Sequence, residues 1–284
     1  MNFTLGLPNG SMQQPVFDLL ARIGLDIRPS GRSGQVAIGG LELFSQAVLM
    51  RPQDIPLALL QGKIDSAICG LDCIVETELA EKVAANTKIK RLQELDLSRN
   101  TRQSMRVILF GRPDSPPLTQ DISISSEYPA ITQKHYPNTQ ISFSHGSTEI
   151  KVAMKQFDYG VGVAETGSSL RDNGLQVAEE IMVSPTMFVA NKCLPEFIAL
   201  GDLIAGALEA ESHQLIKMNI DPQQKEDVLE VLPALRAPTI GILADQSCAV
   251  ETIVPKKQTT DLLIRLRTLG ATDIVVQNVN AIVG

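Results

Sequence analysis

Short apolar runs alternate with helix-like patterns along most of the chain. Residues 3–8 form an apolar run that ends at a Pro-Asn-Gly turn, and a helix is predicted over 12–24, with an apolar face formed by Val16, Leu19, Leu20 and Ile23. Further strands are predicted over residues 47–50, 64–69, 107–110, 122–125, 141–143, 161–164 and 187–190. Strands that alternate with helices predict a mostly parallel sheet with helices on both faces.

A polar stretch divides this region into two lobes. The chain becomes polar near residues 99–106 and then begins a second α/β unit, which predicts lobe I over 1–104 and 183–210 and lobe II over 105–182. The strand at 187–190 is expected to return to lobe I. In open α/β sheets the ligand lies beyond the carboxyl ends of the strands. This rule predicts a cleft at the strand-end loops Pro8-Asn9-Gly10, Gly70-Leu71-Asp72 and Glu165-Thr166-Gly167.

The pattern changes after residue 210. Residues 211–284 contain a strand, a helix, two strands, a second helix and a final strand. This βαββαβ order is the ferredoxin-like plan. A small module of that shape beside a catalytic part indicates a role in regulation or assembly. The alternative is a domain that only stabilises the chain.

The turn after residues 161–164 combines an acid, a glycine and several hydroxyl side chains. Its residues are Glu165, Thr166, Gly167, Ser168 and Ser169, and a helical pattern follows. The first N–H groups of a helix lack intrahelical partners and carry the positive end of its dipole. A phosphate would bind well there, because glycine permits close approach and the hydroxyls add donors. The alternative is an ordinary capped helix start without a ligand.

Composition and charge narrow the classes of function. The chain has 284 residues, 44% of them hydrophobic, which suits two or three domains with substantial cores. The net charge of −7 argues against a general nucleic-acid surface but leaves room for anionic small molecules bound by local donors. No run is apolar enough to predict a membrane span, and the first residues do not resemble a signal peptide.

The cysteines and histidines do not form a recognisable reactive cluster. Metal-site spacing is absent among the cysteines, which are expected to be reduced, buried thiols of a cytoplasmic protein: Cys69, Cys73, Cys193 and Cys248. The histidines are scattered and pair with no obvious nucleophile, so each is expected to be structural or exposed: His135, His145 and His213.

Several short motifs follow one another in a distinctive order. In the two lobes they are Leu7-Pro8-Asn9-Gly10-Ser11, Arg51-Pro52-Gln53-Asp54-Ile55-Pro56, Gly70-Leu71-Asp72, Ser126-Glu127-Tyr128-Pro129, Gly146-Ser147-Thr148-Glu149 and residues 165–170. In the tail they are Leu232-Pro233-Ala234-Leu235, Pro238-Thr239-Ile240, Val254-Pro255-Lys256-Lys257 and Leu269-Gly270-Ala271. This set resembles the long form of the ATP phosphoribosyltransferase family, which opens histidine biosynthesis, over nearly the whole chain.

The resemblance implies a specific reaction and architecture. The family transfers the phosphoribosyl group of phosphoribosyl pyrophosphate (PRPP) to N1 of the ATP adenine and releases pyrophosphate, with Mg²⁺. Its catalytic part resembles a two-lobed type II periplasmic-binding-protein fold. Its C-terminal domain is similar to an ACT domain, which binds histidine as an allosteric feedback inhibitor. The long form assembles as a homo-oligomer, a hexamer in equilibrium with dimers, and no nucleic acid or membrane partner is implied.

The resemblance also implies site residues. The PRPP phosphate would bind at residues 165–169, with Glu165 near the ribose hydroxyls. ATP would lie near Asn9, Gly10, Ser11, Arg32, Arg51 and Asp72, and histidine near Thr239, Asp245, Ser247 and Ala271. No single acid or base is implied; Arg51 and Glu165 are the electrostatic candidates. For Arg51 the alternative is a surface or hinge ion pair.

Three positions depart from the family pattern. The family usually carries Lys at Asn9, an acid at Gly162 and, in near relatives, an aromatic residue at Gly34. Losing a charged contact in a water-poor site would weaken binding or catalysis by about 2–4 kcal/mol. A catalytically weak or inactive regulatory paralogue is therefore an alternative hypothesis. A second alternative is a small-molecule solute-binding protein, which shares the plan of two lobes around a cleft.

Overall fold

The computed structural model describes residues 3–29, 34–97, 105–118, 121–164, 167–233 and 237–284. The chain divides into two compact units, Met1–Gly201 and Asp202–Gly284. Each unit is described by itself below.

The first unit contains two sheets with helices between the strands. Its strands are β1 (Phe3–Pro8), β2 (Asp26–Pro29), β3 (Gln35–Gly39), β4 (Phe44–Met50), β5 (Ser66–Gly70), β6 (Lys90–Leu95), β7 (Met105–Gly111), β8 (Ser123–Ser126), β9 (Gln140–Phe143), β10 (Tyr159–Ala164), β11 (Gln176–Ser184) and β12 (Thr186–Ala190). Its helices are α1 (Gln13–Arg22), α2 (Ile55–Leu60), α3 (Leu71–Ala80), α4 (Pro129–His135), α5 (Thr148–Ala153) and α6 (Ser168–Asp172), and α7 (Pro195–Ala210) follows.

The two sheets share one plan. Lobe I has the order β2-β3-β4-β1-β5-β12-β6, and lobe II has the order β11-β7-β10-β8-β9. In each sheet three adjacent strands are parallel, β4-β1-β5 in lobe I and β9-β8-β10 in lobe II. Two strands that pair antiparallel lie next to them in the sheet, β12 and β6 beside β5, and β7 and β11 beside β10. The other strands of both sheets pair antiparallel. The predicted two-lobed α/β fold is confirmed, with β12 returning to lobe I as expected.

Each lobe has its own apolar core. In lobe I, α2 packs against β5, with Ile55, Leu59 and Ala67 fully buried. In lobe II, alternate residues of β7 face opposite sides of the sheet, so that Val107 and Phe110 belong to different clusters. Helix α3 belongs to lobe I by sequence, yet its Val75 and Leu79 pack against the core of lobe II. This helix therefore joins the two lobes.

The second unit is a four-stranded antiparallel sheet with two helices. Its elements are β13 (His213–Ile220), α8 (Lys225–Val231), β14 (Thr239–Ile242), β15 (Cys248–Pro255), α9 (Lys256–Thr268) and β16 (Thr272–Asn278). The strand order is β14-β15-β13-β16. Ile216 and Val250 from the sheet are buried in one cluster with Val228 of α8 and Leu266 of α9. The predicted ferredoxin-like βαββαβ plan is confirmed.

Several local predictions differ from the structure. The segment Gly70-Leu71-Asp72 is not a loop, because α3 begins at Leu71 directly after β5 ends. The expectation of four buried thiols is wrong for Cys193, which is exposed, whereas the other three are buried. Among the described residues, no helix has both the length and the apolar character that a membrane span requires.

The exposure of Cys193 generates a labelling prediction. In the native protein we expect one thiol, that of Cys193, to react rapidly with an aromatic disulfide reagent, because the remaining cysteines are buried. Burial, and secondarily the charge of Asp72, also raise the pKa of the Cys69 thiol well above its usual range. Cys193→Ser should abolish the fast phase, and the matched change Cys248→Ser should leave it. A second fast thiol in native protein would contradict the described burial.

Candidate functional site

The parallel strand ends of lobe I bring several predicted site residues together. Pro8 at the end of β1 is paired with Met50 at the end of β4, and the Asn9 N–H donates to the Met50 carbonyl at 2.9 Å. The carboxyl end of β5 lies on the other side of β1. Gly10 has φ +75°, which turns the chain away from the sheet edge. As a result Asn9, Gly10, Ser11, Arg51 and Asp72 all lie at one edge.

The Asp72 carboxylate is buried and fully engaged with other parts of the protein. Its Oδ1 accepts from the Ser184 hydroxyl at 2.5 Å, and its Oδ2 accepts from the Tyr128 phenol at 2.5 Å. The Asp72 N–H also donates to Ser184 Oγ at 2.8 Å. Burial, reinforced by the Asp72 charge, raises the pKa of the Tyr128 phenol, which keeps it a donor. Tyr128 follows β8 and Ser184 ends β11, both strands of the lobe II sheet, so Asp72 connects the two sheets.

A second carboxylate of α3 makes a similar connection. Both Glu76 oxygens accept from the first amides of α4, those of Ala130 and Ile131, at 2.8 Å each. A carboxylate at this position satisfies donors that the helix leaves unpaired. Burial raises the pKa of Glu76, while the two amide donors act in the opposite direction. The two acids of α3 thus fix the start of α4 against lobe I.

A cavity of about 190 Å³ lies in the cleft between the lobes. Lobe I contributes Pro8, Met12, Pro52, Gln53, Ile68, Cys69, Gly70, Asp72 and Cys73, and lobe II and the crossover contribute Met105, Glu127, Tyr128, Val163, Ser184 and Thr186. The lining combines apolar side chains with polar groups that converge from both sides, an arrangement that can orient a ligand. The cavity therefore lies where the strand-end rule predicts a ligand.

The predicted phosphate turn follows β10 at the corresponding edge of lobe II. Gly167 has φ +67° and precedes α6. The Ser169 hydroxyl donates to Glu149 Oε1 at 2.8 Å, which commits it to α5. A Cβ atom on Gly167 would lie 3.9 Å from Arg171 Nη1, so a guanidinium lies beside the turn. Sequence reasoning missed Arg171, although its position in the first turns of the helix was a usable signal.

Part of the predicted site lies outside the described residues. This applies to Glu165 and Thr166 of the phosphate turn and to Arg32 of the proposed ATP site. Their roles remain predictions from the resemblance.

Glu127 is a further functional candidate that sequence reasoning left without a role. It follows β8, lines the cavity and accepts from the Thr148 hydroxyl at 2.8 Å. Thr148 Oγ1 lies 2.8 Å from Ser144 Oγ, to which Lys151 Nζ donates at 2.7 Å. These residues come from three separate segments, so only the tertiary fold brings them together.

The proposed histidine contacts lie at different places in the second unit. Asp245 Oδ1 accepts from both the N–H and the hydroxyl of Ser247, at 3.0 and 2.6 Å, in the turn between β14 and β15. Ala271 is fully buried at the start of β16. Thr239 opens β14, opposite Glu251 of β15, and lines a separate cavity with the C-terminal residues 282–284. The residues that line this cavity do not include Asp245, Ser247 or Ala271.

Family models match both parts of the chain. The model described as ATP phosphoribosyltransferase, HisG, matches residues 51–204, and the model described as the HisG C-terminal domain matches residues 210–281. The chain belongs to the ATP phosphoribosyltransferase family. Its relatives include the ATP phosphoribosyltransferase of Desulforudis audaxviator, 31% identical over the full length of both chains. That of Pelotomaculum thermopropionicum is 32% identical over 97% of each chain.

A solved structure of the family has a similar fold. It is the ATP phosphoribosyl transferase (HisG:HisZ) complex from Thermotoga maritima, with a TM-score of 0.55 and 23% identity, and the match covers 66% of this chain and 87% of that chain. At this identity the similarity concerns the fold.

The Tyr128–Asp72 bond generates a stability prediction. Tyr128→Phe removes the phenol that donates to a buried carboxylate, so we expect the free energy of unfolding to fall by about 1.5–3 kcal/mol. Urea denaturation followed by circular dichroism measures this change. The matched control is Tyr136→Phe, because the Tyr136 phenol donates to the exposed Glu179, and its expected cost is below about 1 kcal/mol. Equal costs in the two variants would contradict a structural role for the lobe connection.

Proposed function

We propose that this protein transfers the phosphoribosyl group of PRPP to N1 of the ATP adenine and releases pyrophosphate, the first step of histidine biosynthesis. The observation that carries the proposal is family membership along both parts of the chain, and the cleft geometry supports it. A transferase needs two substrates placed face to face, and two sets of strand ends meet at this cleft. The reaction is proposed to take place in the cytoplasm.

PRPP is proposed to bind at lobe II. The first backbone amides of α6 suit the 5′-phosphate of PRPP. Gly167, whose backbone lies in the left-handed region, allows the phosphate to approach them closely. Arg171 adds a planar cation beside the turn, a geometry that matches phosphate oxygens. The Ser169 hydroxyl is bonded to Glu149, so the contribution of Ser169 is proposed to come from its amide.

ATP is proposed to bind at the edge of lobe I. Arg51 is exposed at the end of β4, one strand away from Asn9, Gly10 and Ser11. Its guanidinium fork suits a polyphosphate. The oxygens of Asp72 are occupied by Ser184 and Tyr128, so we propose that this residue shapes the ATP site rather than binding the nucleotide.

Catalysis of this reaction depends mainly on how the protein positions the two substrates. Displacement at the anomeric carbon develops positive charge on the ribose as pyrophosphate leaves, and fixed charges in a cleft stabilise such a state. Bound Mg²⁺ would neutralise the leaving pyrophosphate. Mg²⁺ keeps several of its waters and binds substrate phosphates, so no cage of protein side chains is needed. No group of three acidic, Cys or His side chains converges within the described ranges.

A turnover assay tests the proposed reaction. We expect pyrophosphate release only when ATP and PRPP are both present. PRPP binding without release would favour the inactive paralogue, and binding of neither substrate would contradict membership of the active class. A coupled pyrophosphate assay with calorimetry on the same preparation separates these outcomes.

The two glycines that flank α6, one before the helix and one after it, offer a matched test of the phosphate turn. Gly167 and Gly174 lie at opposite ends of the helix, and both have φ +67°. Alanine at either position carries similar backbone strain, about 1 kcal/mol. Only Gly167→Ala should weaken PRPP binding, by about tenfold or more, since one lost phosphate hydrogen bond corresponds to 1.5–3 kcal/mol. Calorimetry measures the dissociation constants; equal weakening in both variants would argue against a phosphate at this turn.

Regulation by histidine and assembly into hexamers and dimers are also proposed. Their support is the family membership and the ferredoxin-like second unit. We expect calorimetry to detect histidine binding at millimolar concentration or below and the turnover assay to show inhibition. Asp245→Asn should weaken binding if the Asp245–Ser247 turn forms the site, whereas Thr239→Val should do so if the cavity near the C-terminus does. Absence of heat in the wild-type protein would remove the regulatory proposal.

A further inference from the structure

The carboxylate of Glu127 occupies the space beside Gly162. Gly162 is buried in β10, and a Cβ atom on it would lie 3.6 Å from Glu127 Oε1 and 3.8 Å from Glu127 Cδ. These are ordinary van der Waals distances, so a methyl group fits. An acidic side chain at position 162 would instead bring two negative groups into contact. In this chain the two positions together carry a single carboxylate, that of Glu127.

Glu127 is held in place by a directed chain of hydrogen bonds. Lys151 Nζ can only donate and the ionised carboxylate can only accept, so the two hydroxyls between them are aligned from Lys151 towards Glu127. Ser144 Oγ also lies 3.1 Å from the Gly146 carbonyl oxygen. Ser144 and Thr148 are buried, at 2% and 0% exposure, where hydrogen bonds are well ordered. This chain fixes the carboxylate orientation from lobe II.

The position of Glu127 suits the sugar of PRPP. Glu127 follows β8, which pairs directly with β10, the strand that leads to the phosphate turn. The residue lines the cleft cavity. A carboxylate accepts hydrogen bonds and repels phosphate, so at this place it matches ribose hydroxyls rather than a phosphate group.

We propose, building on the transferase reaction above, that Glu127 is a carboxylate that binds the ribose hydroxyls of PRPP and that Gly162 leaves the space beside it free of a side chain. Lys151, Ser144 and Thr148 are positioning residues for this carboxylate. Restoring an acid at position 162 therefore disturbs the site in this chain.

Substitutions at position 162 separate charge from size. We expect Gly162→Asp to lower kcat/KM for PRPP by about tenfold or more, since it adds a repelling charge in a site of low polarity. Gly162→Asn has the same size without the charge, and Gly162→Ala adds only a methyl group; both should lose less. The double variant Gly162→Asp with Glu127→Gln should recover part of the loss, because it again holds one carboxylate.

The pH profile gives a readout that a packing defect would not change. Two neighbouring carboxylates raise the pKa of one of them, so below that pKa the pair carries one charge, as in the wild type. The ratio of wild-type to Gly162→Asp activity should therefore be largest at high pH and shrink as pH falls. The Asn and Ala variants should show a ratio that is independent of pH.

A substitution in the hydrogen-bond chain tests the positioning role. Thr148→Val should raise KM for PRPP severalfold with a smaller change in kcat. The control is Thr132→Val, since Thr132 is equally buried but its hydroxyl donates to the Tyr128 carbonyl and lies 2.7 Å from Ser126 Oγ, outside the chain that holds Glu127. Both variants should lose stability, but only the change at Thr148 should affect KM.

The outcomes separate this inference from the transferase assignment. Wild-type turnover combined with an unchanged or higher kcat/KM in Gly162→Asp would overturn the role of Gly162 and leave the transferase reaction standing. An unaffected KM in both Glu127→Gln and Thr148→Val would overturn the role of Glu127. No wild-type turnover with ATP and PRPP would remove the reaction itself and the inference with it.

Discussion

The geometry of the cleft depends on the buried carboxylate of Asp72. A carboxylate is stable away from water only when it is fully paired, and here its oxygens accept from Tyr128 and Ser184. Tyr128 follows β8 and Ser184 ends β11, so one side chain of lobe I is bound at two points of the lobe II sheet. Glu76, one helical turn later, caps α4 and reinforces the connection. The lobes are thereby fixed along α3, and the cavity lies next to this connection.

The parallel strands explain why the proposed substrate-binding groups lie close together without a dense cluster of charges. Parallel strands deliver their carboxyl ends to one edge, which places the loop after Pro8 beside Met50 and Arg51, and Ser126 beside the strand that leads to Gly167. A chain with net charge −7 can bind two polyphosphate substrates because the donors are local. The proposed donors are amides, hydroxyls and one guanidinium at each edge. Long-range attraction is not needed.

The elements that could be predicted from the sequence are those marked by a short apolar run or a clear amphipathic period. The strands at β1, β8 and β10 and the ferredoxin-like tail follow this rule. Helices α3 and α7 were missed because α3 begins directly after a strand and α7 is apolar on most sides, which removes the amphipathic signal. The partners of Asp72 were also missed, since Ser184 is separated from it by 112 positions. Sequence spacing indicates which residues share an element, whereas contacts between lobes follow from tertiary packing.

The departures from the family pattern illustrate the same limit. A missing acid at Gly162 or a missing lysine at Asn9 looks like a loss when each sequence position is considered separately. A bound substrate responds to the charge at a place, and that charge can come from a neighbouring strand. The carboxylate of Glu127 lies beside Gly162, on the neighbouring strand end. Whether a site has lost a charge is therefore decided by the groups that surround the position, and at Gly162 a carboxylate is present.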